Sequence, residues 1–259
     1  MVKPQKLLYT TLLAISISAA AQGQELKRLS LGIDCGTSTY STDLKENDAI
    51  RATSSVTFFD QSGSYDLRTS THRTYYGIKA ELLSSSGYLG ISTGIRYTQV
   101  KSEINRDSWF SYSKTKFYVL YNQNGTNTEY AQVEKVTQKA DYLGIPLDFR
   151  FYTTRPRFFR LFFKLGFDFS MRVGNKNTVD FLTTSMNPYE QQVGRAIGTP
   201  SSVLTTFNPG LGFKLGDTDG VNVSFELNAP SYIISTNAST FAKNRIGIGA
   251  QLYIYYPIL

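Results

Sequence analysis

Hydrophobic and polar residues alternate along most of this chain, and the alternation is clearest in residues 158–173. In FFRLFFKLGFDFSMRV every odd position from Phe159 to Val173 is apolar, while the even positions include Arg160 and Lys164. Successive side chains of a β-strand point to opposite faces. The period of two therefore predicts a strand with one apolar face and one polar face.

Eight segments of the chain have this period. They cover residues 29–40, 73–83, 88–100, 142–152, 158–173, 206–216, 221–229 and 245–256. Residues 84–87, 153–157 and 217–220 join neighbouring segments and have the composition of tight turns. The other four connections are long, so short and long connections alternate strictly. This layout predicts an all-β protein, an eight-stranded antiparallel up-and-down barrel with short periplasmic turns, long extracellular loops and both termini in the periplasm.

The second long connection contains a further strand signal. Residues 116–136, KFYVLYNQNGTNTEYAQVEKV, place an apolar patch beside an Asn-Gly turn. We expect a hairpin here that extends the sheet beyond the membrane. A ten-stranded barrel is the competing interpretation of this stretch.

Glycine indicates which face of the strands points inward. A soluble carrier of the lipocalin type would turn its apolar faces inward and its polar faces to water. In this chain, however, the glycines of the strands lie on the polar parity, Gly32, Gly36, Gly247 and Gly249 among them. The crowded interior of a closed eight-stranded barrel needs such small residues, whereas a solvated face does not. We therefore expect the apolar faces to contact lipid, so the protein spans the outer membrane.

The polar faces then place charged side chains in the barrel lumen. These predicted lumen residues are Asp34, Lys79, Glu81, Arg96, Asp148, Arg150, Arg160, Lys164, Asp168, Arg172, Lys214, Glu226 and Arg245. Isolated buried charge is costly, so we expect ion pairs between strands. Asp148 is expected to face Arg160 or Lys164 across the turn at 153–157.

Tyrosines near the strand ends fit the aromatic girdles of outer-membrane barrels, although ordinary strand propensity explains them equally well. The predicted girdle residues are Tyr88, Tyr142, Tyr152, Tyr253, Tyr255 and Tyr256.

The N-terminus has the layout of a secretory signal peptide. Lys3 and Lys6 precede an apolar stretch, and the small residues Ala19 to Ala21 follow it. We predict a signal peptide over residues 1–21 and one barrel domain over residues 22–259. The rest of the chain has no apolar run long enough for a transmembrane helix.

Composition narrows the classes of function. The 259 residues carry a net charge of +7 without a basic run, which argues against binding to nucleic acid. Cys35 is the only cysteine, so no internal disulfide forms. With one histidine and one cysteine, we expect no transition-metal site and no cofactor.

A barrel enzyme at the outer rim is the alternative function. His72 is the only histidine, and Asp60, Asp66 and Ser70 precede it in the same connection. Acid–base chemistry at the rim would depend on His72. We favour a solvated loop histidine and predict no enzymatic activity.

Two segments carry a family resemblance. YLGIPLDFRFY at 142–152, followed by a short turn and a Phe-rich strand, and RIGIGAQLYIYY at 245–256 resemble the PorT-like outer-membrane β-barrel proteins of Bacteroidota. The resemblance implies an outer-membrane barrel, with a role in protein secretion for some members, and it brings no catalytic residues.

We thus expect a non-enzymatic outer-membrane barrel with a lumen filled by side chains. Outer-membrane lipid surrounds it, and its extracellular loops are available to a protein partner in adhesion or secretion. The alternatives are a rim enzyme acting on lipid or peptide and a soluble lipocalin-like carrier. We expect a monomer.

Overall fold

In the computed structural model, the described residues are 28–45, 47–53, 67–106, 116–124, 127–154, 158–217 and 220–258. The predicted signal peptide lies outside them. The strands are β1 (Arg28–Leu44), β2 (Ile50–Thr53), β3 (Leu67–Leu83), β4 (Leu89–Arg106), β5 (Lys116–Asn124), β6 (Asn127–Tyr152), β7 (Phe159–Phe181), β8 (Val203–Leu215), β9 (Asn222–Ile233) and β10 (Ala242–Pro257). Between β7 and β8 lie a 3₁₀ helix (Thr184–Tyr189) and helix α1 (Glu190–Ile197).

Eight of these strands close into a ring in the order β1, β3, β4, β6, β7, β8, β9, β10. All neighbours in the ring are antiparallel, and the pairing of β1 with β10 closes it. The short connections lie at one end, which we call the short-turn end. The opposite end is the long-loop end. The prediction of an eight-stranded up-and-down barrel is confirmed.

Strands β5 and β2 extend the sheet outside the ring. β5 pairs with the first residues of β6, from Phe117 opposite Val133 to Asn124 opposite Asn127, and β2 pairs with β5. The hairpin predicted from residues 116–136 is therefore present. Because neither β2 nor β5 belongs to the ring, the ten-stranded barrel is the wrong interpretation.

The apolar side chains point outward in the middle of the ring. In β7, for example, the side chain of Phe163 is 58% exposed whereas that of its neighbour Phe162 is 1% exposed. The other strands share this pattern. Exposed apolar residues form an outer belt that includes Ile33, Ile78, Ile95, Leu143, Ile145, Leu161, Phe169, Met171, Leu211, Leu227 and Ile248. A soluble carrier with an apolar interior does not have this surface.

The short helices lie at the long-loop end. The side chains of Val193 and Ile197 in α1 are buried, while most of its other residues are exposed. Among the described residues, no helix is long and apolar enough to cross a bilayer.

Candidate functional site

The lumen near the short-turn end is filled by ion pairs around Arg150. Its Nη1 lies 2.7 Å from Oε1 of Glu81 on β3, and its Nη2 lies 2.6 Å from Oε1 of Glu226 on β9. Lys164 binds the second oxygen of Glu226 at 2.5 Å, and the Tyr152 hydroxyl donates to Glu81 at 2.9 Å. One guanidinium thus joins strands on different sides of the ring.

A second group of ion pairs fills the lumen nearer the long-loop end. Arg96 on β4 binds Asp168 on β7 through Nη1 and Asp34 on β1 through Nη2. Lys79 forms ion pairs with Asp148 and, at 3.6 Å, with Asp34. Since each of these side chains is buried, the charges compensate one another without bulk water.

Gln251 connects the two groups of ion pairs. Its Oε1 accepts hydrogen bonds from Lys164 at 3.1 Å and from the Tyr75 hydroxyl at 3.0 Å. Its Nε2 donates to Asp34 at 3.1 Å. The guanidinium of Arg96 also lies over the Tyr75 ring, 4.3 Å from its centroid. The polar filling is therefore one continuous network along the barrel axis.

Glycines make room for aromatic rings in this lumen. At Gly36, an added Cβ would lie 2.5 Å from both Cζ and the hydroxyl oxygen of Tyr75. At Gly247, it would lie 2.5 Å from Cδ1 of Tyr40. Gly36 and Gly247 therefore leave the space that these two tyrosine rings occupy.

The structure buries most of the predicted lumen charges. Buried inside the barrel are Asp34, Lys79, Glu81, Arg96, Asp148, Arg150, Arg160, Lys164, Asp168, Lys214 and Glu226. Arg160 donates to the carbonyl oxygen of Gly87 at 3.2 Å and stacks over Tyr152, 4.1 Å from the ring centroid. Lys214 lies 3.8 Å from Glu81 and 4.2 Å from the ring centroid of Tyr255.

Two predicted lumen charges lie elsewhere. Arg245 has a side chain that is 64% exposed and binds Asp43 at the long-loop end. A bulge in β10 opposite Ser41 changes the parity there, and this turns Arg245 outward. Arg172 is half-buried at the rim, where it donates to the carbonyl oxygen of Pro200.

The expectation that Asp148 pairs with Arg160 or Lys164 is wrong. Register places Asp148 opposite Gly166, and Lys164 is opposite Arg150. The cation that binds Asp148 is Lys79, which reaches it from β3. Lys79 thus reaches Asp148 through the lumen, and the neighbouring strand of the hairpin does not supply the partner.

The tyrosines divide between the two faces. Tyr88 and Tyr256 are exposed, as a girdle requires. The remaining four point inward and are buried, contrary to the girdle prediction; they are Tyr142, Tyr152, Tyr253 and Tyr255. The rings of Tyr152, Tyr253 and Tyr255 lie beside lumen cations, whereas Tyr142 packs in a small hydrophobic cluster and donates to the carbonyl oxygen of Ser201.

Arg73 is a lumen residue that the prediction omitted. It is buried, it donates to Thr206 at 2.6 Å and to Asn208 at 3.2 Å, and it lies 3.4 Å from Asp168. It shares its parity with Lys79 on β3. The alternation along β3 therefore predicts that Arg73 points into the lumen.

His72 lies on the outer face of the barrel. Its Nδ1 is 3.1 Å from the hydroxyl of Thr39, and Ser70 lies two residues away on the same face. Asp60 and Asp66 lie outside the described residues. In the part of the chain that the structure describes, no group of three or more His, Cys, Asp or Glu residues could hold a metal ion.

A hydrophobic core lies above the ionic lumen, at the long-loop end. We call this part of the protein the cap. Its core consists of Ile104, Phe117, Val119, Val133, Val136, Val179, Val193, Ile197, Phe241 and Ala242. Here apolar side chains point inward, the reverse of the arrangement in the belt. The inversion indicates that the cap is surrounded by water.

Amide side chains fasten the helix to the cap. Asn177 on β7 donates to the carbonyl oxygens of Gly194 at 2.7 Å and Gly198 at 2.9 Å. Gln138 on β6 accepts from the Thr240 backbone N–H at 2.9 Å. The helix, β6, β7 and the segment before β10 are therefore joined by side-chain hydrogen bonds at the long-loop end.

The outer surface of the cap carries a cleft of about 590 Å³. It is lined by Asn47, Asp48, Ala49, Leu120, Tyr121, Asn122, Gln192 and Ala196. Beside it the rings of Tyr121 and Tyr189 meet edge to face, with centroids 5.2 Å apart. The cleft and these two rings together form a concave, partly aromatic surface on the cap.

Glu103 forms a small ion-pair group on the outer face near the cap. Its Oε1 lies 2.8 Å from Lys101 and 2.7 Å from Lys135. Burial raises the pKa of this carboxyl, but hydrogen bonds and charge from the two lysines outweigh burial and lower its pKa to about 2. Glu103 is therefore ionised at neutral pH and is occupied by both amines.

Several solved barrels are similar in outline to this chain. The translocator domain of the autotransporter NalP from Neisseria meningitidis is 9% identical, with a TM-score of 0.30 and coverage of 98% of this chain and 97% of that one. OprG from Pseudomonas aeruginosa is 12% identical, with a TM-score of 0.33 and coverage of 90% and 95%. Ail from Yersinia pestis is 8% identical, with a TM-score of 0.29 and coverage of 89% and 99%. At these low identities and TM-scores, we draw no conclusion about this chain from the similarity.

Family membership rests on the sequence itself. No curated protein matches the chain. Residues 20–258, which include the whole ring and the cap, match the family described as outer membrane protein beta-barrel domain. This chain belongs to the outer membrane protein beta-barrel domain family.

Proposed function

We propose that this barrel is a non-enzymatic outer-membrane protein that anchors an extracellular interaction surface and is no general pore. The main support for this proposal is the lumen network, in which Arg150 and Arg96 each bind carboxylates on different sides of the ring. Buried side chains occupy the space that a solute would need. The cap core above the network supports the same proposal.

Conductance tests this proposal. The purified full chain, inserted into planar bilayers, is expected to give no stable, solute-sized current steps. The exposed substitution Arg245→Ser should give the same result, because it leaves the lumen network unchanged. Stable large conductance from the unsubstituted protein would contradict a filled lumen.

The proposed orientation places the long-loop end outside the cell and both termini in the periplasm. The inverted core of the cap supports a position in water beyond the membrane. Cysteine substitutions at Lys243 and Ser85, at opposite ends of the barrel, test it in the Cys35→Ser background. An impermeant maleimide added to whole cells should label position 243 only, and labelling of position 85 alone would reverse the orientation.

The interaction role assigns a protein partner to the cap, in adhesion or in secretion as the PorT-like resemblance suggests. Aromatic side chains beside a cleft are common anchors of protein interfaces; here Tyr189 is exposed and Tyr121 is partly buried. Tyr121→Ala with Tyr189→Ala should reduce the amount of protein crosslinked to the cap in intact outer membranes. The exposed Tyr256→Ala, at the short-turn end, is the control. Equal crosslinking in the unsubstituted protein, the double variant and the control would show that the cleft does not bind the partner.

The absence of enzymatic activity is also a proposal. It is supported by the environment of His72, whose described hydrogen-bond partner is a threonine hydroxyl rather than a carboxylate. Turnover of lipid or peptide by the purified protein that disappears in His72→Ala would overturn it. We further propose a monomer, which light scattering of the detergent-solubilised protein would test.

A further inference from the structure

Basic side chains form a row on the outer face at the long-loop end. Register places His72 opposite Lys101, Lys101 opposite Lys139, and Lys139 opposite Lys176, on four neighbouring strands. Directly opposite residues of an antiparallel pair share a face, with Cβ atoms about 4.5–5.5 Å apart, and like charges in that position are destabilising. An anion bound by the row would remove this repulsion.

The nearby carboxylates do not neutralise the whole row. Glu103 is occupied by Lys101 and Lys135. Among the residues that the structure describes, neither Lys139 nor Lys176 has a carboxylate within ion-pair distance, and both are exposed. Two adjacent amines are thus available to an external group.

Asp141 is the acidic side chain between the row and the apolar belt. Its Oδ1 accepts hydrogen bonds from the Tyr97 hydroxyl at 2.6 Å and from Gln99 at 2.9 Å. Both donors lie on β4, on the side away from Lys176. They engage Oδ1 of Asp141, while its Oδ2 lies toward Gly174 on β7.

The row lies just beyond the lipid headgroups, close enough for its lysine side chains to reach them. Leu143 is exposed in the outer belt, and Lys139 is four residues closer to the cap on β6. At about 3.3 Å per residue and a tilt of about 45°, this places the Lys139 backbone roughly 9 Å beyond that part of the belt. The headgroup layer is about 5–8 Å thick on each side of the hydrocarbon, and lysine side chains extend toward it.

We propose that Lys139 and Lys176, with Lys101 beside them, bind the phosphate group of a membrane lipid in the leaflet at the long-loop end. Each ammonium offers three donors, and two ammonium groups on adjacent strands meet different oxygens of one phosphate. The site lies on the lipid-facing surface, so a lipid reaches it without leaving the bilayer. This inference rests on the membrane insertion proposed above.

Native mass spectrometry of the full chain in detergent tests the site. The probes are a phosphatidic acid and the diacylglycerol with the same acyl chains, which differ only in the phosphate. The unsubstituted protein should prefer the phosphatidic acid. Lys139→Gln and Lys176→Gln should each weaken its binding about 5-fold, and together about 20- to 30-fold, because one lysine near an anionic lipid surface contributes about 1 kcal/mol.

Lys243→Gln is the matched control. Lys243 is an exposed lysine at the same end, but register places it opposite Asp43. Its substitution should leave the affinity unchanged. An equal loss in Lys243→Gln would indicate a general charge effect and overturn the site.

Two other outcomes would also overturn it: equal binding of the diacylglycerol, or displacement of the lipid by an equal concentration of inorganic phosphate. The second outcome would identify a site for free phosphate instead of lipid. Because binding is measured in micelles, its failure is distinct from failure of the conductance or orientation experiments.

Discussion

The guanidinium of Arg150 binds the carboxylate of Glu226 across the barrel, with Nη2 2.6 Å from Oε1, although β7 and β8 separate their strands in the ring. The same guanidinium binds Glu81. A single side chain thus connects strands that share no backbone hydrogen bond.

Arg150→Ala should destabilise the barrel strongly. After the substitution, the nearest cation to Glu81 is Lys214 at 3.8 Å, and Glu226 keeps only its ion pair with Lys164. Both carboxylates remain buried. Removing one partner of a buried ion pair costs about 3–5 kcal/mol. The midpoint of urea unfolding in lipid vesicles should fall accordingly.

The exposed pair of Arg245 and Asp43 provides the control for that experiment. Arg245→Ala should change the free energy of unfolding by about 1 kcal/mol or less, because solvent screens exposed ion pairs. Similar losses of unfolding free energy in Arg150→Ala and Arg245→Ala would mean that the buried lumen pairs stabilise the barrel no more than an exposed pair does.

Gly36→Ala should impair folding because its methyl group would collide with the Tyr75 ring. That ring is held by Arg96 and Gln251, so it cannot move away cheaply. Overpacking of this kind costs about 1–3 kcal/mol. The yield of refolded, heat-modifiable barrel on a gel measures the effect.

Gly220→Ala is the matched substitution for Gly36→Ala. No atom lies within 4 Å of an added Cβ at this position, in the turn before β9. Its refolding yield should equal that of the unsubstituted protein. A normal yield for Gly36→Ala as well would show that the lumen is looser than the structure indicates.

Tryptophan at position 163 should contact lipid. Phe163→Trp, in a Trp109→Phe background, should be quenched by brominated acyl chains, since the Phe163 side chain is exposed in the apolar belt. Phe162→Trp is the inward control, and Tyr253→Trp replaces it if the first variant does not refold. Quenching of the inward tryptophan with protection of position 163 would reverse the two faces.

Glu103 should titrate far below an ordinary glutamate. Its folded pKa is about 2 and its unfolded value is 4.5, so its stabilising contribution is present above pH 4.5 and is lost as pH falls through about 2. Carboxyl chemical shifts in an NMR titration would report the folded pKa. Lys101→Gln with Lys135→Gln should raise it toward 4.5 or above, whereas the distant Lys243→Gln should not move it. A pKa of 4.5 in the unsubstituted protein would contradict the two ion pairs.

Local patterns were enough to predict the ring. The period of two and the alternation of short and long connections are properties of neighbouring residues, and they predicted eight strands, their faces and the extra hairpin. The same rule, applied fully, would have placed Tyr253 and Tyr255 inside, because they share the parity of Gly247 and Gly249 on β10. Similarly, Arg73 shares the parity of Lys79. The parity of each strand therefore contains the information that places these three side chains in the lumen.

Other features were not available from local pattern. The bulge in β10 that turns Arg245 outward depends on its pairing with β1. The cap core joins residues from β4 to β10 that are far apart in the chain. No single segment contains the information that Val193 and Ile197 of α1 pack against residues of β5, β7 and the start of β10.

By itself, the sequence determined that strands form, which of their faces meets lipid and that the polar faces enclose charge, because side-chain alternation is set by the backbone of each strand. Only the tertiary structure decided that Asp148 binds Lys79 and that Arg150 binds Glu226. Those pairs depend on the register of every strand around the closed ring and on the width of the lumen. Ring closure is a property of all eight strands together, so the partners across it are determined only when the barrel is complete.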